Sequence, residues 1–206
     1  MTSTREHILK SAIKGVRQYG FEGIRIQNIS ELAGLTQGAI YRHFSTKNEL
    51  MEECFYYVDK EVASIFDDIQ ISPHSVLTDP KSAMKSLWSP FFRYWTTHPD
   101  ESVFYHRFRD SSLFPEFKRS KENTHFKSFF KNIDVFVAVV PRLKTANVNL
   151  LWIHILRNTV MYAKCIAEGL LQDTPETEEE IFRLILSGIL GYLKNEDAVI
   201  LEEASA

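Results

Sequence analysis

The chain has 206 residues, 44% hydrophobic and 25% charged, a balance that excludes wholesale disorder, collagen-like repeats and a simple charged tail. With 24 Lys and Arg against 27 Asp and Glu the formal charge is −3, so this is no uniformly basic nucleic-acid coat protein. The charge is uneven: residues 1–50 carry seven bases (Arg5, Lys10, Lys14, Arg17, Arg25, Arg42, Lys47) against four acids (Glu6, Glu22, Glu31, Glu49), a net of +3, and the remainder carries −6. A basic front on an acidic body suits an anionic partner at one end only.

Helical periodicity dominates the chain, and no strand alternation competes with it. Ser3 followed by Glu6 predicts a capped first helix with Ile8, Leu9, Ala12, Ile13, Val16 and Tyr19 as its apolar positions, stopped at Gly20. Two short helical units follow at about 27–33 and 37–44, with Gly34 and Leu35 between them and Thr36 placed to cap the second. Thr46 and Glu49 launch a long helix to about residue 69, and Ser72-Pro73 and Asp79-Pro80 bracket a loop. Further helices are predicted near 81–97, 101–109, 115–140, 146–171 and 177–194, the last capped by Thr177 with Glu180 and favoured at its start by Glu178 and Glu179. From Asn195 onward the chain is expected to fray. Neither a repeat nor a low-complexity segment is visible. The fold expected is all-α.

The opening MTSTREHILK lacks the apolar core of a secretory leader. The most apolar stretches, 135–140 and 150–162, fall short of the roughly 18 residues a membrane span needs. Cys54 and Cys165 stand alone, which argues against a disulfide scaffold or zinc ribbon. His74, His98, His106 and His125 show no metal-ligand spacing, so neither a metal nor another cofactor is expected. These readings imply a soluble protein in a reducing cytoplasm, with no membrane partner.

The informative window is Gly20 to Leu50: a short helix, a tight turn containing Gly34, and a second short helix. Ile26, Ile29, Leu32, Ala33, Leu35 and Ile40 can pack the two together. That is helix-turn-helix spacing, in which the first helix braces across the DNA backbone and the second enters the major groove. Gln37, Gly38, Ala39, Tyr41, Arg42 and His43 are not needed for a core and offer groups that read base edges and phosphates.

Here the chain resembles the TetR family of bacterial transcriptional regulators, through Gly20-Phe21, Ile29, Ala33-Gly34-Leu35-Thr36, Gly38-Ala39-Ile40-Tyr41, His43-Phe44 and Thr46-Lys47 to Leu50. The resemblance implies an N-terminal three-helix DNA-binding domain (1–47) joined by a long helix to a helical effector-binding and dimerisation domain (48–206). It also implies a homodimer on a near-palindromic double-stranded operator. Carried over residue by residue, Arg25 and Gln27 lie near one phosphate strand, Thr36 caps the recognition helix and can reach phosphate, and Gln37 and Ala39 face base edges. Gly38 permits close approach, Tyr41 and His43 reach phosphate, Arg42 reaches base or phosphate, and Lys47 is a further phosphate ligand. Tyr41 can equally serve as a core aromatic, and Phe44 belongs in the core. Two positions depart from the family: Arg25 stands where a Ser or Thr cap is usual, and Ser30 where Ala is usual. A lost cap costs about 1 kcal/mol.

The remainder is rich in aromatic residues, which would suit a hydrophobic or aromatic effector. Trp88, Phe92, Trp95, Phe104, Phe108, Phe126 and Phe130, with His154 and Asn158 as polar anchors, form the candidate pocket, while Phe129, Phe136 and Trp152 are read as structural. His154, Arg157, Asn158 and Met161 share one helix face, open to three readings: solvent, subunit interface or pocket anchors. By the resemblance, the candidate dimer interface comprises Trp152, Arg157, Ile181, Leu184, Ile185, Gly188, Ile189 and Tyr192. Own-domain packing competes for the apolar face of the last helix. His106, Arg107 and Arg109 read as a solvated charged face in preference to an anion sensor.

The function expected is a ligand-responsive DNA-binding repressor. A helical enzyme or small-molecule carrier with an incidental hairpin competes with it, as does an architectural DNA-binding protein without effector. Against an enzyme, no nucleophile elbow, phosphate loop, dinucleotide fingerprint or paired carboxylates are found.

Overall fold

The computed structural model describes residues 3–115 and 125–203. Among them every regular element is helical: α1 (Thr4–Tyr19), α2 (Ile26–Ala33), α3 (Gln37–Tyr41), α4 (Lys47–Ser64), α5 (Pro73–Thr78), α6 (Pro80–Thr97), α7 (Pro99–Arg109), α8 (Lys127–Val139), a 3-10 turn (Pro141–Lys144), α9 (Val148–Ala167) and α10 (Pro175–Glu203). The all-α expectation holds.

The chain divides into two compact units, one of Met1–Ser64 with Thr97–Phe126 and the other of Ile65–Thr96 with Lys127–Ala206. The division differs from the expected boundary at residue 47. Physically, α4 is built into the first unit: the buried Cys54 thiol points at the Leu9 carbonyl (3.6 Å) and Glu53 pairs with Arg5 (2.7 Å). The helix α7, far away in sequence, completes that unit.

In the first unit α1 buries Ile8, Leu9, Ala12, Ile13 and Val16, the stripe its periodicity predicts. Ser3 Oγ accepts the Glu6 N–H (3.2 Å), as the capping pattern requires. The Phe55 ring on α4 stacks on Tyr105 and on Phe108 of α7, each at 4.6 Å between centroids, and Phe21 meets Phe108 edge-on at 5.9 Å. These rings fill the space beneath the N-terminal helices.

In the second unit Trp88 stacks on Phe92 (4.8 Å), and Trp152 lies 4.4 Å from Phe129. Glu178 and Glu179, at the start of α10, tie that helix to α6 through Arg93 (3.2 Å), Lys81 (3.2 Å), Lys85 and Ser89. The two lysines hold the Glu179 carboxyl below its ordinary range. Asn132, buried on α8, donates to the Ile69 and Ser128 carbonyls (2.9 and 3.0 Å) and accepts from the Ile71 N–H (2.7 Å). The 69–71 segment is thereby pinned to α8.

Several boundaries differ from the periodic reading. The helix expected to run to residue 69 ends at Ser64 and passes into a turn. The expected loop 72–80 contains α5, because Ser72 accepts the Ser75 N–H and Pro73 supplies a first-turn residue with preset φ. The helix read over 115–140 begins at Lys127, with His125 and Phe126 in a turn, and residues 116–124 lie outside the described residues. The last helix starts earlier, at Pro175, since Thr174 and not Thr177 accepts the capping N–H (3.2 Å); it continues to Glu203 where fraying was expected.

Candidate nucleic-acid interface and interior cavity

The interface is built by α2, the 34–36 turn and α3. Gly34 adopts φ +63°, ψ +32°, the left-handed region where a Cβ is penalised. The turn is pinned by the Leu35 N–H to the Ser30 carbonyl (2.9 Å) and the Gly34 N–H to the Glu31 carbonyl (3.2 Å). Thr36 Oγ1 accepts the Ala39 N–H (3.2 Å) and starts α3. Ile26, Ile29, Ala33, Ile40 and Phe44 seal the inner face.

The two departures from the family pattern are accommodated locally. A guanidinium has no acceptor, so Arg25 cannot cap α2 with its side chain. Instead Asn28 Oδ1 reaches back to the Arg25 N–H (2.9 Å), which is the reverse half of a capping box. Ser30 is buried, and its hydroxyl donates to the Gln27 carbonyl (2.8 Å).

Arg25, Gln27, Thr36, Gln37, Gly38, Tyr41, Arg42 and His43 are all exposed. Tyr41 is 50% exposed, which removes it from the core. Ala39 differs: it is only 9% exposed and helps close the inner face of α3. Lys47 is half-buried, with Nζ on the Phe21 carbonyl (3.4 Å), and Gln27 donates to Glu31 (3.1 Å). The recognition helix is shorter than expected, ending at Tyr41, so Arg42 and His43 leave from its last turn.

The basic residues of α7 are not the solvated face the sequence suggests. Arg107 is half-buried and donates to the Val16 carbonyl at the end of α1 (2.7 Å), a favourable place for a cation. Arg109 lies over the Tyr105 and Phe114 rings. Asp59 on α4 is buried and accepts the Tyr105 hydroxyl (3.1 Å). Burial pushes the Asp59 carboxyl up to about 6, against the pull of Tyr105 and Arg109. None of this was legible in the sequence, because Asp59 lies 46 residues from its partner.

In the second unit, two neighbouring apolar chambers lie among α6, α8, α9 and α10. They share a wall of Met84, Phe129, Ile133, Trp152, Ile155 and Ile189. Phe66, Leu87, Trp88, Phe91, Phe182, Ile185 and Leu186 complete one chamber. Phe130, Phe136, Val137, Leu143, Val148 and Leu151 complete the other.

Of the expected pocket residues, Trp88 and Phe130 line these chambers. Phe92 and Trp95 are buried beside them in the second unit without lining either, because Phe92 stacks behind Trp88 and Trp95 turns toward Phe91 and Tyr94. Phe104, Phe108 and Phe126 belong to the first unit and line neither chamber. His154 joins α9 to α10, its Nε2 meeting the Ile185 carbonyl (3.3 Å), while Asn158 donates to the His154 carbonyl one turn back in the same helix (2.7 Å). Phe129, Phe136 and Trp152, read as structural in preference to pocket-lining, do line the chambers. Sequence offered no register for telling one ring from another.

The candidate interface residues also separate. Ile181, Ile185 and Ile189 are buried in their own unit, and Trp152 is half-buried against the cavity. Arg157, Gly188 and Leu184 are exposed, Leu184 at 60%. Tyr192 is half-buried, its hydroxyl accepting the Asn147 N–H (3.3 Å). Met161, placed on the Arg157 face by the sequence, is exposed, and the sequence missed Leu150 and Ile153, exposed apolar residues on that same face of α9.

Comparison with known proteins agrees with this architecture. Residues 8–54 match the bacterial regulatory proteins of the tetR family. The HTH-type transcriptional repressor NicS of Pseudomonas putida is 33% identical over 97 residues, covering 47% of this chain and 44% of that repressor. The chain thus matches less than half the length of that relative. A TetR family transcription regulator from Marinobacter aquaeolei shares the fold with a TM-score of 0.69 at 20% identity, over 88% of this chain and 93% of that one. The transcriptional regulator FadR from Bacillus subtilis, in complex with stearoyl-CoA, gives 0.59 at 14% identity over 88% and 97%. The helix-turn-helix segment thus matches that of the bacterial regulatory proteins of the tetR family over residues 8–54, and the chain as a whole shares the fold of solved TetR family regulators.

Proposed function

We propose that this protein is a ligand-responsive, sequence-specific transcriptional repressor that acts in the cytoplasm. A homodimer binds a near-palindromic operator and is released by a small hydrophobic molecule. The observation that carries the reading is the two-sidedness of α3. Its inner face is sealed by Ile40 and Ala39, while Gln37, Tyr41, Arg42 and His43 are exposed, as is Arg25 at the start of α2. An exposed tyrosine and an amide on one short helix, followed directly by exposed Arg42 and His43, suit phosphates and base edges.

Two copies must set their recognition helices about 34–36 Å apart, one turn of DNA, or a multiple of it. The face bearing Leu150, Ile153, Met161 and Leu184 offers the apolar area for that pairing. An effector acts only through different affinity for the DNA-competent and DNA-incompetent spacings. The apolar cavity supplies a place for it. Among the described residues no helix is long and apolar enough to cross a membrane, and no cluster of metal-binding side chains occurs.

The test is selection from random duplex DNA by the purified protein, followed by footprinting and sedimentation. The expected result is a near-palindromic sequence bound by two copies, with affinity falling steeply as salt rises because several phosphates are neutralised. Failure to enrich any sequence at low salt overturns the reading and leaves a helical carrier or enzyme in its place.

A further inference from the structure

The two chambers contain no charged side chain among the described residues that line them. Two lining residues, Trp88 and Trp152, carry an indole N–H, and that of Trp88 already donates to Thr159 Oγ1 (2.9 Å). Polar side chains next to the wall are likewise engaged. Asn132, beside Ile133, bonds the 69–71 backbone, and His154, beside Ile155, bonds Ile185 and Asn158. The lining backbone belongs largely to helices that satisfy their own N–H and C=O groups. An ionised group on a ligand would therefore lose its water and gain no charged partner, a cost that apolar contact does not offset.

Size adds a second constraint. Each chamber now holds the equivalent of roughly one to three water molecules, far below the ~300 Å³ or more of ordinary ligand sites. Six residues line both chambers, Met84, Phe129, Ile133, Trp152, Ile155 and Ile189. Met84, unbranched and with a thioether, can repack at small cost. Moving that wall merges the chambers into one longer apolar slot.

Resting on the reading of this cavity as the effector site, we propose that the effector is an uncharged, hydrocarbon-dominated molecule that occupies both chambers by displacing their shared wall. Long-chain neutral hydrocarbons, neutral terpenoids and fused aromatic rings fit this class. Carboxylates, ammonium compounds and phosphorylated conjugates do not.

The experiment compares two probes with one ring skeleton, neutral N-phenylnaphthylamine and its sulfonated analogue anilinonaphthalene sulfonate, by fluorescence titration of the full-length protein. The neutral probe is expected to bind saturably, and the sulfonate at least ~10-fold more weakly. Ile155→Trp and, independently, Met84→Phe fill the shared wall and should weaken the neutral probe, with helical circular dichroism unchanged. Equal or tighter sulfonate binding, no saturable binding of the neutral probe, or insensitivity to both folded variants overturns the proposal. DNA selection is scored separately. Its failure strikes the regulator reading while the probe titrations still decide the ligand class.

Discussion

Tyr105 on α7 donates its hydroxyl hydrogen to the buried carboxylate of Asp59 on α4 across 3.1 Å, and Arg109 approaches the same phenol oxygen at 3.4 Å. One hydrogen bond thus links two helices of the first unit through residues 46 apart in the chain. Desolvation is the largest influence on the carboxyl, raising it to about 6, and the same burial raises Tyr105.

The Asp59 carboxyl titrates higher in the folded chain than its ordinary 3.8. Between these values the folded state holds more protons than the unfolded state, so stability from this group is fully present below about pH 4 and falls as pH rises through 6. The shift corresponds to about 2–3 kcal/mol. Asp59→Asn keeps an acceptor for Tyr105 and removes the charge. Urea unfolding between pH 4 and pH 7.5 should lose that contribution to the slope, and the variant should gain stability at the upper end. An unchanged slope would remove Asp59 as its source.

On α3, Gln37→Ala and Tyr41→Ala each should weaken specific operator binding by about 1–3 kcal/mol per half-site if the side chain reads a base. A loss equal for all DNA sequences assigns the residue to the phosphate backbone instead. Ala39, being largely buried, should respond to enlargement mainly through folding. Competition binding against matched and scrambled duplexes separates these outcomes.

Asn132 serves three backbone groups, two of them in the 69–71 segment. Replacing it with Leu leaves the Ile71 N–H and the Ile69 carbonyl without their present partner in a partly buried setting. A loss of about 2–4 kcal/mol is expected, read as a lower urea midpoint. A loss under ~0.5 kcal/mol would mean that water replaces the amide freely.

Gly188 sits where a Cβ would lie 2.7 Å from His154 Nε2. Gly188→Ala should push the imidazole off the Ile185 carbonyl and cost about 1–2 kcal/mol. Combining it with His154→Ala should recover much of that loss, giving a coupling visible in a double-mutant cycle. Strict additivity of the two changes would show that the ring moves aside without penalty.

The N-terminal helices were legible because their signals are local. Ser3 and Thr36 cap by bonding backbone three residues on, Gly34 meets a turn that needs its φ, and the apolar stripe of α1 repeats at helical spacing. The same locality made the outward set Gln37, Tyr41, Arg42 and His43 readable, and let periodicity misjudge α5 and the start of α10, where Ser72-Pro73 and Thr174-Pro175 act as caps. Which aromatic rings surround the cavity was not legible. Phe104 and Phe108 carry the same residue type as Phe129 and Phe91, and only the path of α7 into the first unit tells them apart. Arg107 and Asp59 were hidden for that reason too: burial and partnership between residues distant in sequence arise from how helices pack, and packing depends on surfaces that no single segment contains.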